Sequence, residues 1–453
     1  MSNFLVLPRA LEAQLVEHLL GDPAQERLAV LFAGRHATPR GWRLLARDLW
    51  LAGPGDYRVQ GAYHLEIEPG LWARAAKRAR TTGESIVIAH SHPGDPATPD
   101  FSPTDDLGER RLMPKLQARA PGPHATLVAS PGGYQGRLHL ANGDPMPLAI
   151  GPYIPPPDAG SAEDGRFDRQ RLAIGPEGQA RLHQMTVAVV GLGGVGSHVV
   201  QQLLHLGVGR LVVVEPDRIE RSNLSRVVGA SSSDAASHEP KVSVARRLAE
   251  GLGARTVLVL IDGDVRESQA VTALLAADVV FGCTDTQLSR LLLNGLAHQY
   301  YLPVLDLGVE LQLAGSMGGR VNALGPDAGC LWCWGILSAD RLRGEQLPPE
   351  LRAEYVGRGY VTDLEVKQPA VVSINGVIAS LAVTEMLRRM TGMGGAHDPA
   401  AMLLYRLADG TVRRVGRPNG TCGTCAGPST GLGDLGDLPG LIHPNQSSAL
   451  SAS

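Results

Sequence analysis

The chain has 453 residues, 43% hydrophobic and 19% charged, with a formal charge of -3. That length supports two or three domains with proper cores, and the near-neutral charge argues against a dedicated nucleic-acid binder. No stretch approaches the ~18 uninterrupted apolar residues of a membrane span. Met1-Ser2-Asn3-Phe4 opens no basic stretch followed by a long apolar run, so cytoplasmic residence is expected. The sequence shows no internal repeat.

Residues 1–141 alternate short strand-like and helix-like segments. Residues 11–20 read as a helix, and the run 25–34 holds an apolar strand that Glu26 opens. Residues 85–89 form a strand that ends in His90-Ser91-His92-Pro93, followed by Phe101-Ser102-Pro103-Thr104-Asp105. Two histidines at i and i+2 past a strand, with a nearby carboxylate, can give three ligands to one Zn²⁺. The fourth position is then left for water, the layout of a catalytic zinc. The bland alternative is a loop histidine pair with no metal. Residues 142–165 are rich in Pro and Gly and read as a linker.

Residues 166–427 carry an α/β pattern. Strands are expected at 185–190, 211–214, 256–261, 278–282 and 303–307, with helical stretches between. Such alternation implies a mostly parallel, doubly wound Rossmann-like sheet. Gly191-Leu192-Gly193-Gly194-Val195-Gly196 follows the first strand, a helix follows the loop, and Glu215 ends the second strand. That is a dinucleotide fingerprint: glycines let backbone approach a phosphate, the helix N-terminus favours its charge, and Glu215 would hold ribose hydroxyls. An NAD or FAD enzyme would be the default on this motif alone. Yet Asn223, Arg226, Lys241, the Cys283-Thr284-Asp285 string and Arg169 follow or precede it in order. Cations converging on a phosphate site suit a triphosphate, and an Asp at a strand's carboxyl end can hold Mg²⁺. Singly, each has a plain reading, as a solvated surface charge or a helix N-cap.

Four of the five cysteines form two pairs, Cys330-Leu331-Trp332-Cys333 and Cys422-Gly423-Thr424-Cys425. Two C-x-x-C knuckles supply the four thiolates of a closed structural zinc site. A disulfide inside one pair would tie no distant segments together, and redox C-x-x-C chemistry is the lesser alternative. Only Cys283 then remains for thiol chemistry. Residues 428–453 are rich in Gly, Ser and Pro and read as a disordered tail.

Residues 166–427 resemble the ubiquitin-activating superfamily in its ThiF/MoeB/HesA branch. The shared features are Arg166-x-x-Arg169-Gln170, the glycine loop, Glu215-x-Asp217, Ser222-Asn223-Leu224-x-Arg226, Pro240-Lys241, Cys-Thr-Asp and both knuckles. The resemblance implies ATP- and Mg²⁺-dependent adenylation of the C-terminal glycine of a ubiquitin-like or sulfur-carrier protein. By that carry-over Glu215 binds ribose, Asp217 belongs to the nucleotide set, and Asn223, Arg226 and Lys241 contact phosphates. Asp285 organises Mg²⁺ and ATP, and Arg169 reaches the other subunit's site in a homodimer. The crossover segment 337–369 departs from the family by containing no cysteine, and Thr362 and Glu365 are not obvious substitutes. The implied reaction is adenylation without a cysteine intermediate in this chain.

Residues 5–140 resemble the JAB/MPN (JAMM) metalloproteases through His-Ser-His-Pro and Phe-Ser-x-x-Asp. The resemblance implies zinc held by His90, His92 and Asp105, with Asp106 left as an alternative. It also implies Glu26 as general base, against Glu66, Glu68 and Glu84, and Ser102 as an oxyanion stabiliser. The whole chain then reads as a ubiquitin-like-protein protease fused to an activator, both acting on one carboxyl-terminal tail. The pathway is protein conjugation through a separate carrier enzyme, as in bacterial ubiquitin-like operons linked to phage defence, or sulfur transfer through a sulfurtransferase. Direct amide formation on a small peptide, a non-catalytic ubiquitin-like-binding scaffold and an NAD-dependent oxidoreductase are the rivals.

Overall fold

The computed structural model describes residues 3–62, 64–94, 99–141, 143–151, 165–311, 317–348, 351, 370–394, 401–418 and 422–442. Thr362 and Glu365 lie outside the described residues. The chain divides into two units. The first comprises Met1–Tyr153, Gln299–Tyr301 and Pro428–Asp437, and the second comprises the rest.

In the first unit β1 (Asn3–Val6), β2 (Leu28–Thr38), β3 (Gly41–Leu51), β6 (Ser85–Ser91), β7 (His124–Ser130), β8 (Gly133–His139) and β9 (Met146–Ile150) close in the order β1-β3-β2-β6-β7-β8-β9. The short hairpin β4 (Tyr57–Gln60) and β5 (Leu65–Ile67) stands apart. The strand β9 falls inside the stretch that composition assigns to a linker. Met146, Leu148 and Ile150 alternate with Pro147 and Ala149, and the segment pairs with β8 and, in parallel, with β1.

The central strands are apolar on both faces, which explains their continuous apolar runs. Leu31, Ala33, Val87 and Ala89 pack with Leu15 and Leu19 of α1 (Arg9–Leu20). Val30, Phe32, Ile86 and Ile88 pack instead with α2 (Pro69–Thr82) and α3 (Pro103–Arg119). The period-2 alternation therefore decides which side chains meet which helix.

The second unit is built on an eight-stranded sheet of order β12-β11-β10-β13-β14-β15-β16-β17. β10 (Thr186–Val190), β11 (Arg210–Val214), β12 (Val257–Ile261), β13 (Val279–Gly282) and β14 (Val304–Leu311) are parallel, within two residues of their expected starts. Three antiparallel strands, β15 (Met317–Leu324), β16 (Met402–Arg406) and β17 (Thr411–Val415), extend it, and the sequence pattern predicts none of them. The helices are α4 (Asp168–Gln184), α5 (Gly194–Leu206), α6 (Ser232–Ser237), α7 (Lys241–Gly251), α8 (Ser268–Leu275), α9 (Gln287–Gln299), α10 (Ala339–Gln346) and α11 (Val372–Thr391). Strand order reverses between β10 and β13. That is the switch point where open α/β sheets bind ligands at the carboxyl ends of their strands.

The segment Pro428–Asp437 is not the free tail that its composition suggests. Asp434 accepts from the Ala37 N–H at 3.0 Å and pairs with His36 at 2.9 Å. Arg47 donates to the carbonyls of Thr430 and Pro428. A Cβ on Gly34 of β2 would lie 1.8 Å from the Gly431 carbonyl oxygen, so the crossing needs glycine there. Among the described residues, no helix is long and apolar enough to cross a membrane.

Candidate functional sites

Strand register brings the first site together. β2 and β6 run antiparallel with Leu28 opposite His90. Glu26 lies two residues before Leu28, and the fields of His90 and His92 reach it. Arg27 N–H donates to Ser91 Oγ at 2.9 Å, and Ser91 N–H donates to the Arg27 carbonyl at 3.0 Å, which carries the pairing outward. Glu26, His90 and His92 share the strand face that meets α2 and α3. Asp105, in the first turn of α3, completes the set. His90 Nε2 is 3.1 Å from Asp105 Oδ1, His92 Nε2 is 3.4 Å from Oδ2, and the two Nε2 atoms are 3.3 Å apart. Tetrahedral ligands about 2.0–2.1 Å from zinc stand about 3.3 Å apart, so the donor set fits zinc with one corner open.

Asp106 points elsewhere, into an ion pair with Arg137 at 2.6 Å. Burial pushes the Asp105 carboxyl up, but both histidines and Ser102 outweigh it and hold it well below the usual carboxylate range. Ser102 is the N-cap of α3. Its Oγ donates to Asp105 Oδ2 at 2.8 Å, and its N–H donates to the same oxygen at 2.7 Å. The hydroxyl expected at an oxyanion is thus committed to orienting Asp105.

The glutamates separate by their neighbours. Glu26 is 8% exposed, and burial raises its pKa, with His90 and His92 partly offsetting that. Glu84 is neutralised by Arg47 at 3.2 Å and Arg78 at 3.0 Å. Glu68 pairs with Arg58 at 3.4 Å and Glu66 with His64 at 3.5 Å, all four side chains well exposed. Glu26 is the one of the four that is buried without an arginine partner and lies in the field of both histidines.

The second site lies at the switch point. Gly191, at φ +91°, follows β10, and a Cβ there would meet the Cys283 carbonyl oxygen at 2.6 Å. A Cβ on Gly196 would meet the Gly191 carbonyl at 1.9 Å. Those two glycines serve the tight turn. A Cβ on Gly193 would meet nothing within 4 Å. Gly193 precedes the first turn of α5 with no side-chain cap, so open space and backbone donors coincide, as a phosphate requires. Gly194 is flanked by Asn375 of α11 and by the Arg226 side chain.

Glu215 is 4% exposed and accepts from the backbone N–H groups of Leu192 and Asp217. Burial raises its pKa, and Lys241, 3.6 Å away, offsets part of this. Lys241 also donates to Asp217 at 2.7 Å, and Asp217 is largely exposed. The carboxylate reachable by a ligand is therefore Asp217, while Glu215 ties down the glycine loop. Asn223 is buried and its Oδ1 accepts from Glu220 N–H at 3.0 Å. Arg226 donates to the Ser222 carbonyl at 2.8 Å. Asp285 is exposed just past β13, and Arg169 is exposed on the first turn of α4. Burial, with Asp306 adding, pushes the Cys283 thiol far above its ordinary value, so it is no ready nucleophile.

The four knuckle cysteines also converge. Sγ separations are 3.6 Å for Cys330–Cys333, 3.2 Å for Cys330–Cys422, 3.6 Å for Cys333–Cys425 and 3.6 Å for Cys422–Cys425. These far exceed a disulfide's ~2.05 Å and approach the ~3.75 Å edge of a tetrahedron with 2.3 Å Zn–S bonds. Cys330 and Cys425 are buried, and none of the four is in a disulfide.

Sequence reasoning missed Asn375, whose helix carries no motif, and Glu345, which lies in the crossover where only a cysteine was sought. It also missed Asp306, wholly buried between Arg290 at 3.3 Å and Arg320 at 2.6 Å. Its only local signal is an acidic residue inside an apolar strand.

Fold and sites together define a nucleotide-binding α/β unit with a zinc-type cysteine cluster, joined to a JAB-type unit. The chain belongs to the ThiF family, which it matches over residues 167–424, and residues 8–138 match the prokaryotic homologs of the JAB domain. It is 30% identical to the SAMP-activating enzyme E1 of Haloferax volcanii, over 56% of this chain and 84% of that one. It is also 30% identical to the sulfur carrier protein adenylyltransferase of Thermus thermophilus, over 58% of this chain and 92% of that one. A solved structure of Escherichia coli MccB aligns over 58% of this chain and 75% of that chain, at 17% identity and a TM-score of 0.46, too low to bear on function.

Proposed function

We propose that the C-terminal unit uses ATP to adenylate the C-terminal glycine of a small ubiquitin-like or sulfur-carrier protein. The observation that carries this is the switch point, where an open glycine and an uncapped helix N-terminus lie beside Arg226, and where Lys241 pairs with Asp217. The carrier's carboxylate attacks the α-phosphorus, an O–P bond forms, and pyrophosphate leaves with its electron pair. Asp217 takes the ribose hydroxyls, in place of Glu215. Lys241, Arg226 and Asn223 hold phosphates. Mg²⁺, when bound, would offset phosphate charge, and the exposed Asp285 would hold it.

The N-terminal unit is proposed as a zinc-dependent (iso)peptidase that trims or deconjugates the same carrier. His90, His92 and Asp105 would hold the zinc, which would supply Lewis acidity and lower the pKa of a bound water. Glu26, buried and in the field of both histidines, would take a proton from such a water and return it to the leaving amine. The test for the activating unit is ATP–pyrophosphate exchange with a carrier ending in glycine. Exchange should require that glycine, vanish in Asp285→Ala and persist in Cys283→Ser. A thiol-sensitive adduct on this chain after incubation with ATP and carrier, absent in Cys283→Ser, would overturn adenylation without a cysteine intermediate. Whether the adenylate passes to a carrier enzyme or to a sulfurtransferase is read from the product, an isopeptide or a thiocarboxylate.

A further inference from the structure

Helix α9 begins two residues after Asp285, and its first turn is capped twice. Thr286 Oγ1 accepts from Ser289 N–H at 3.3 Å. Glu345, from α10, accepts from Gln287 N–H at 2.8 Å and from Leu288 N–H at 2.9 Å. A carboxylate on two N-terminal amides is a charge-assisted contact that the helix dipole reinforces. Gln287, 3% exposed, reaches back to the same chain segment. Its Nε2 donates to the Ile336 carbonyl at 3.2 Å, and its Oε1 accepts from Ser338 N–H at 3.0 Å. Further along α9, the buried Asn294 Oδ1 accepts from Leu331 N–H at 2.8 Å, inside the first cysteine knuckle. Helix α9 therefore holds the chain at four points between the first cysteine knuckle and α10: Leu331, Ile336, Ser338 and Glu345.

The loop that holds Asp285 has two anchors. On one side the Cys283 carbonyl lies beneath Gly191 of the glycine loop. On the other, Thr284 Oγ1 accepts from Thr286 N–H at 3.3 Å, at the capped start of α9. Without Glu345 the second anchor loses the acceptor for two of its three capped amides.

We propose that Glu345 is a positioning residue for the nucleotide site: it fixes the start of α9, and through it the Thr284-Asp285 loop, where Asp285 can serve Mg²⁺ on ATP. This rests on the adenylation reading. It also gives the crossover a role that needs no cysteine.

The test compares wild type, Glu345→Ala and Glu345→Gln. Amide hydrogen exchange is read at Gln287 and Leu288. ATP binding without carrier is titrated against Mg²⁺ by calorimetry, and bound zinc is counted. In Glu345→Ala both amides should exchange faster, and half-saturating Mg²⁺ should rise by up to about five- to tenfold, the full stability worth of a charged cap being the upper bound on what reaches the site. Zinc content should not change. Glu345→Gln keeps an acceptor oxygen and should recover most of the affinity. Should the alanine variant fail to fold, the glutamine variant decides, with an expected rise of about twofold from the lost charge. Faster amide exchange with unchanged Mg²⁺ dependence overturns the positioning role, since the cap is then only local. Unchanged amide exchange overturns the contact itself. A wild type that binds no ATP refutes the adenylation reading and the positioning role together, and the amide exchange then still reports whether the cap exists.

Discussion

Four glutamates of the first unit carry the same functional group and differ only in company. Glu84 faces two arginines, so its charge is spent on structure. Glu26 is buried beside two histidines with a raised pKa. Glu26→Ala should lower cleavage of a carrier fusion by about 10²–10⁴-fold, the usual worth of a general acid–base group, while zinc content stays at the wild-type level. Normal cleavage by this variant would rule out Glu26 as the base. Ser102 offers a sharper test, because its hydroxyl is bonded to Asp105. Ser102→Ala should weaken zinc binding and lower stability by about 1 kcal/mol for the lost N-cap. If it instead leaves metal affinity intact and lowers only kcat, Ser102 acts on the substrate after all.

At the scale of elements, legibility followed locality. The β10–α5–β11 segment could be read because its strand period, glycine loop and helix period all lie in consecutive residues. The clustering of His90, His92 and Asp105 could be read because a strand end and a helix cap stand close in sequence. Strand β15 could not: Gly318 and Gly319 interrupt it, and a Cβ on Gly318 would lie 2.0 Å from the Tyr405 carbonyl of β16. Its glycines answer to a neighbour more than eighty residues away. Strand β17 is mostly exposed and shows no alternation. Glu345 was illegible for the same reason, since its partners belong to α9. The cysteine knuckles lie 92 residues apart and draw two such distant elements together. Cys330→Ser should release that zinc and lower the melting temperature of the second unit, because structural zinc binding is coupled to folding. Metal analysis with a thermal scan checks both, and a fully stable zinc-free chain would refute the structural site.

At the scale of the whole molecule, the exposed Arg169 tests the homodimer that the family resemblance implies. If Arg169 serves the other subunit's crevice, Arg169→Ala and Asp285→Ala should each lose pyrophosphate exchange alone. Mixed subunits should regain up to about a quarter to a half of wild-type exchange once they re-associate, because the heterodimer holds one intact crevice. No recovery in a demonstrated heterodimer would place Arg169 outside the neighbouring site.

The placement of Pro428–Asp437 in the first unit also sets a schedule. Folding during synthesis proceeds from the N-terminus, at ~5–20 residues per second. The barrel strands have all emerged by Ile150, yet Gly34 waits for Gly431. Some 280 residues must be translated between the two events, about 15 to 60 s at that rate. Throughout that interval the nascent barrel presents the Gly34–Arg35 stretch of β2 and the Arg47 side chain without their covering segment, a window in which a ribosome-associated chaperone would find its client.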